Sequence, residues 1–74
     1  MDKYFINTGT VTKASMARDT LRQNGINTYV LSARGNLSAV GCGFGVVVPG
    51  GALEKAKVLL QRARIGIVGI TQAN

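Results

Sequence analysis

The sequence predicts an α+β fold in which two similar β-α-β halves follow each other along the chain. Two stretches with a helical spacing of apolar residues alternate with four short segments rich in β-branched and aromatic residues, in the order βαββαβ. The halves also superpose without a gap when the chain is shifted by 39 residues. The matched pairs fall on predicted core positions: Phe5 and Phe44, Ala17 and Ala56, Leu21 and Leu60, and Ile26 and Ile65.

The first half begins with the segment KYFINTG, a predicted strand that ends in turn residues. The segment VTKASMARDTLRQNG then places apolar residues at helical spacing, with Thr10 or Thr12 as the N-cap and Gly25 where a helix C-cap belongs. The segment INTYVLSA alternates side-chain types with a period of two residues, which predicts the second strand.

The second half repeats this order. The β-branched run of FGVVVPG predicts a third strand that Pro49 ends. The segment GALEKAKVLLQRAR has the spacing of an amphipathic helix, with Glu54 near its start and Arg62 and Arg64 near its end, as the helix dipole favours. The segment IGIVGIT predicts the fourth strand.

We expect residues 1–74 to form a single ferredoxin-like domain, a four-stranded antiparallel sheet with two helices on one face. The second and third strands are neighbours in this arrangement, so residues 33–43 are predicted to form the tip of a hairpin. Such a connection exceeds the usual length of about 2 to 5 residues, and long loops are more often functional. Alternate apolar positions on the other sheet face predict a homo-oligomer or a docking surface.

The charge of the chain allows an acidic partner without requiring one. Nine Lys and Arg residues stand against three Asp and Glu residues, a formal net charge of +6. Most of these basic residues fall on the predicted helices, where a solvated polar face is expected in any case. A nucleic-acid partner is the alternative, but the pattern of basic, glycine and aromatic residues that RNA-binding sheets use is absent.

The chain has no apolar run of membrane-spanning length, and its first residues lack the basic and apolar regions of a signal peptide. Its one cysteine cannot form an internal disulfide. We therefore expect a free thiol, no membrane association and a location in the reducing cytoplasm.

Several classes of chemistry lack the residues that they need. The chain has no histidine, which excludes His-based metal sites, Cys-His nucleophilic pairs and histidine general bases. The three acids, Asp2, Asp19 and Glu54, are scattered and are interpreted as solvated charges. The glycines of GCGFG precede a strand and do not link a strand to a helix, as a dinucleotide site requires. We expect no metal, no cofactor and no enzymatic activity.

Cys42 remains, and two interpretations of it stay open. A lone cysteine is often only a small hydrophobic residue. However, Gly41 and Gly43 on either side allow a second molecule to approach and allow backbone N–H groups to converge on an anion. Arg34 at the other end of the same loop has a charge that favours a thiolate. The alternative to a structural cysteine is therefore a reactive, solvent-reachable thiol.

The chain also resembles a family, the small selenium/sulfur carrier-like proteins, over nearly its whole length. The shared features are the opening strand, a helix that ends in Gly-Ile, a loop with Arg, Leu-Ser and Cys-Gly, and a helix of the type LEKAKVLL. The matching loop positions are Arg34, Leu37, Ser38, Cys42 and Gly43. The chain departs from the family where Ala33 replaces a usual proline and Gly41 replaces a serine.

This resemblance implies a carrier and not an enzyme. The Cys42 thiolate would accept sulfur or selenium from a donor protein, as a persulfide or selenylsulfide, and would pass it to an acceptor protein. Arg34 and the N–H groups from Gly41 to Gly43 would stabilise the anionic forms, and Ser38 would donate a hydrogen bond. The alternative is a non-catalytic interaction module that dimerises or docks through its apolar sheet face, or through its basic helices, with a structural cysteine.

Overall fold

The computed structural model describes residues 2–73, and within that range it describes every side chain except those of residues 36, 39 and 40. The elements follow the predicted order. They are β1 (Lys3–Gly9), α1 (Val11–Gln23), β2 (Tyr29–Ser32), a 3₁₀ segment (Gly35–Val40), β3 (Phe44–Pro49), a second 3₁₀ segment (Gly50–Ala52), α2 (Leu53–Arg62) and β4 (Gly69–Gln72). None of the helices in residues 2–73 is long and apolar enough to cross a membrane.

The four strands form one sheet in the order β2-β3-β1-β4, and every neighbouring pair is antiparallel. Each helix joins two parallel strands that are separated by a third strand, which is the split β-α-β arrangement of the ferredoxin-like fold. The predicted fold class is therefore confirmed. It also follows that the two helices run antiparallel to each other, because β1 and β3 do.

The main core lies between the sheet and the helices. Its buried members come from both halves of the chain: Ile6, Ala17, Leu21, Ile26, Val46, Val48, Ala56, Leu60 and Ile65. The helix positions in this set keep the 39-residue spacing that the sequence predicts, with Ala17 and Ala56 as one such pair. The internal repeat therefore describes the helices and the turns that follow them.

The 39-residue spacing does not hold for the strands β1 and β3. Phe5 pairs with Val47, and the register shifts between Asn7 and Gly9, which pairs with Phe44. Because side chains alternate along a strand, Phe5 lies on the face opposite the helices, whereas Phe44 shares the helix-facing side of β3 with Val46. The predicted equivalence of Phe5 and Phe44 is therefore wrong. The 39-residue offset that relates the two helices does not relate β1 to β3, because of this register shift.

The other face of the sheet is also covered at its centre. Phe5 is 0% exposed and Val47 is 2% exposed, although neither faces a helix. The 3₁₀ segment Gly35–Val40 packs against β4, which lies at the opposite edge of the sheet from β2. The connection after β2 therefore folds back over this face. Two expectations are therefore corrected. Residues 33–43 do not project as a hairpin tip, and the centre of the apolar sheet face is not exposed.

Candidate functional site

The loop that contains Cys42 is held together by its own backbone. The N–H of Ala33 donates to the carbonyl of Gly43 at 2.8 Å, which closes the loop beyond the last paired residues of β2 and β3. Inside the loop, Leu37 donates to Arg34 and Gly41 donates to Ser38. Arg34 and Cys42 are the next residues beyond the closing pair, so both lie at the base of the loop.

Asn7 attaches this loop to the central strand. Its side chain is fully buried, and its Nδ2 donates to the carbonyls of Gly41 at 3.3 Å and of Cys42 at 3.2 Å. Its Oδ1 accepts a hydrogen bond of 2.8 Å from the N–H of Gly9, which orients the amide. A carbonyl that loses its donor inside a protein costs free energy, so these contacts favour one position of the backbone around Cys42.

Asn7 is the functional candidate that sequence reasoning missed. The pattern of KYFINTG predicts only that Asn7 belongs to a strand. The available signal is its place directly after the apolar residues Phe5 and Ile6, since an amide that is buried in a sheet needs a hydrogen-bond partner. That partner is 35 residues away in the sequence, and no local pattern identifies it.

The glycines beside Cys42 are required by the backbone. Gly41 has φ +102° and Gly43 has φ +113°, and residues that carry a side chain rarely adopt such positive φ values. A Cβ on Gly43 would also overlap the carbonyl oxygen of Gly9 in β1. The two glycines therefore let the chain turn sharply on each side of Cys42 while the loop stays close to the sheet.

Cys42 itself is exposed, and its thiol is free. Among the described residues, none accepts a hydrogen bond from the N–H of Cys42 or of Gly43, whereas the N–H of Gly41 is already donated to Ser38. Two of the three N–H groups that the sequence suggested for anion binding are therefore available.

The two polar side chains predicted to support Cys42 differ in their surroundings. Arg34 is exposed at the start of the 3₁₀ segment, and its guanidinium makes no hydrogen bond or ion pair with any residue in the described part of the chain. The Ser38 hydroxyl donates at 2.6 Å to the carbonyl of Gly35, inside the loop. Arg34 is therefore free to meet an anion near Cys42, while the proton of Ser38 is already engaged.

The rest of the described chain offers no competing chemical site. No group of three or more Cys, Asp or Glu residues in positions 2–73 could hold a metal ion. Asp19 and Glu54 are exposed and form ion pairs with Arg18 and Lys57 on their own helices. Within the described residues, the Cys42 loop therefore holds an exposed thiol, two N–H groups without an acceptor and, at its base, an exposed arginine.

Comparison with protein-family models, with curated proteins and with solved structures yields no match to this chain. The resemblance to the selenium/sulfur carrier-like proteins therefore remains a prediction that rests on the quoted sequence features.

Proposed function

We propose that this protein carries sulfur or selenium on the thiol of Cys42 and is not an enzyme. The observation that supports this proposal is an exposed thiol on a loop whose backbone is held by the buried amide of Asn7. A carrier needs a nucleophile that two different proteins can reach in turn. An exposed sulfur between two glycines meets that need with little steric hindrance.

The loading step is a thiol exchange. The Cys42 thiolate attacks the terminal sulfur of a donor protein's persulfide, a new S–S bond forms, and the old S–S bond breaks so that the donor leaves as a thiolate. No external oxidant or reductant is needed, because the transferred sulfur keeps its oxidation state. Selenium follows the same exchange from a donor selenylsulfide. An acceptor thiolate then repeats the attack on the terminal atom and regenerates the Cys42 thiolate.

The loop favours the charged intermediate. A persulfide or selenylsulfide anion on Cys42 would lie near the N–H groups of Cys42 and Gly43, which have no acceptor among the described residues. Arg34 adds a positive charge at the base of the same loop. Hydrogen bonds to an anion are stronger than neutral ones, so these groups stabilise the loaded form. The proposal also requires a reducing compartment, such as the cytoplasm, in which the thiol stays free.

Intact-mass measurement tests the carrier function. The protein is incubated with a persulfide donor such as glutathione persulfide, and then with an excess of an acceptor thiol. We expect the wild-type chain to gain the mass of one sulfur atom and to lose it again, while Cys42→Ser stays unchanged. Equal behaviour of the two proteins would exclude Cys42 as the carrying residue.

The second candidate is a non-catalytic interaction module with a structural cysteine. Its supporting observation is the pair Tyr29 and Leu31, which lie on the loop-covered face of edge strand β2 and are 45% and 37% exposed. Such a module would dimerise or bind a partner through this edge. Alkylation distinguishes the two functions: a thiol that resists iodoacetamide until the protein unfolds favours the module, and rapid reaction of the native protein favours the carrier.

A further inference from the structure

Two cations and an apolar residue on α2 face a cation and an apolar residue on α1, on the side of the helices away from the sheet. Lys55, Val58 and Arg62 are spaced i, i+3 and i+7, so they follow one line along α2. Lys13 and Met16 have the same spacing at the start of α1. We call these five residues the helix-pair surface.

One contact shows that the two lines face each other. The Nζ of Lys55 donates at 3.2 Å to the carbonyl of Asn24, at the C-terminal end of α1. Asn24 continues the line of Lys13 and Met16 at helical spacing, and the helices pack against each other. Because they run antiparallel, Arg62 at the end of α2 lies toward Lys13 at the start of α1. The five residues therefore lie on adjoining sides of the two helices.

The positive charges of the helix-pair surface have no acidic partners among the described residues. Lys13, Lys55 and Arg62 form no ion pair within the described range. The acids of the two helices are already paired with other cations of their own helices, Asp19 with Arg18 and Glu54 with Lys57. A partner that approaches this surface therefore meets three positive side chains with no carboxylate bonded to them.

Apolar side chains lie among these cations. Met16 is 51% exposed and Val58 is 45% exposed, both large values for residues of their type. Two adjoining helices that carry both exposed apolar residues and unpaired cations match an amphipathic helix that has the opposite charge. We propose that the helix-pair surface binds an acidic amphipathic helix of a partner protein.

This surface fits a protein better than it fits a nucleic acid. Phosphate groups would satisfy the three cations but would leave Met16 and Val58 in contact with water. Binding to single strands also relies on aromatic side chains that stack on bases, and none of the five residues of the helix-pair surface is aromatic. The proposal does not depend on Cys42, so the carrier function and this surface stand or fall separately.

Fluorescence anisotropy tests the proposal with two labelled probes. One is a helix-forming peptide about five turns long, with leucines along one face and glutamates elsewhere. The other is a single-stranded DNA oligonucleotide of similar length. The protein variants are Lys13→Gln/Lys55→Gln/Arg62→Gln, then Met16→Gln/Val58→Gln, and a control, Lys3→Gln/Arg34→Gln/Arg64→Gln. The control has the same net charge as the first variant. Far-UV circular dichroism confirms that each variant is folded.

We expect the peptide to bind the wild type and the control with similar affinity, and to bind the triple variant of the surface at least about tenfold more weakly. The Met16→Gln/Val58→Gln variant should lose at least about threefold in peptide affinity without any change toward DNA. The proposal is overturned if the peptide fails to bind the wild type, if both triple variants lose affinity equally, or if DNA binds more tightly than the peptide.

Discussion

The side-chain amide of Asn7 donates a hydrogen bond of 3.2 Å to the backbone carbonyl of Cys42, which lies 35 residues further along the chain. It also donates to the carbonyl of Gly41, so one buried side chain holds both peptide units that flank the candidate site. The position of the exposed thiol therefore depends on a residue of the central strand, although the loop itself connects β2 and β3.

Replacing Asn7 by alanine should release this loop. The change removes the donor from two carbonyls, and we expect the free energy of unfolding to fall by about 1–3 kcal/mol. Hydrogen exchange of the Ala33 and Gly41 amides, which donate to the carbonyls of Gly43 and Ser38, should accelerate by more than the global loss of stability explains, because the loop then opens locally. Exchange rates by NMR and urea unfolding measure the two effects.

Thr28→Val is the matched control for Asn7. Thr28 is also buried, and its hydroxyl donates at 2.6 Å to the carbonyl of Val47, away from the loop. The control should destabilise the protein to a similar degree without a selective effect on the amides of Ala33 and Gly41. If both variants accelerate exchange in the loop equally, Asn7 has no special role in holding it.

The two glycines beside Cys42 should differ in their tolerance of a methyl group. Gly41→Ala places a side chain at positive φ where the nearest atoms are 3.6 Å away, so we expect a loss of about 1–2 kcal/mol from the backbone alone. Gly43→Ala adds an overlap with the carbonyl of Gly9, and we expect a loss of about 3 kcal/mol or more. Urea midpoints of the two variants measure the difference, and equal losses would contradict the close approach of Gly43 to β1.

The turns after the two helices are built alike but use different residues. After α1, Ile26 donates to Leu21 and Gly25 has φ +80°; after α2, Ile65 donates to Leu60 and Arg64 has φ +59°. Both are helix endings in which the residue with positive φ is usually glycine. Arg64 therefore occupies a position that disfavours its side chain.

Arg64→Gly should stabilise the protein as a result. Removing the side chain relieves the left-handed backbone, and the greater freedom of glycine in the unfolded state offsets part of the gain, so we expect about 0.5–1 kcal/mol. The reverse change at the equivalent turn, Gly25→Arg, should destabilise by a similar amount. Urea unfolding of both variants checks the opposite signs, and a loss of stability in Arg64→Gly would show that the arginine side chain contributes a contact of its own.

The predictable parts of this fold are those with local causes. Periodicity and residue type identify the order of the helices and strands, although β4 begins at Gly69, later than the segment IGIVGIT predicts. Of the two predicted N-caps, Thr10 caps α1 and accepts a hydrogen bond from the N–H of Lys13. The two-half pattern then leads to the strand order, because two β-α-β units leave few ways to form one antiparallel sheet.

The unpredicted parts depend on contacts between distant residues. Because of a register shift between Asn7 and Gly9, the 39-residue offset that relates the helices does not relate β1 to β3. A gapless comparison of the two halves cannot show such a shift. Nothing local indicates that the loop folds over Phe5, or that the amide of Asn7 meets Cys42. The candidate nucleophile was therefore visible in the sequence, while the residue that positions it was not.

The positive charge of Arg34 should make Cys42 react faster with an anionic alkylating reagent, relative to a neutral one. Iodoacetate is an anion and iodoacetamide is neutral, but both alkylate the same thiolate, so the ratio of their rates reports the local charge independently of how much thiolate is present. Two unit charges about 4 Å apart in water interact by about 1 kcal/mol, so we expect Arg34→Gln to lower the ratio about two- to fivefold at low salt. Arg62→Gln is the control on α2, on the other side of the sheet from the loop, and should leave the ratio within about 1.5-fold of the wild type, because the interaction of two charges weakens with their distance. An unchanged ratio in Arg34→Gln would remove this residue from the proposed stabilisation of a loaded anion.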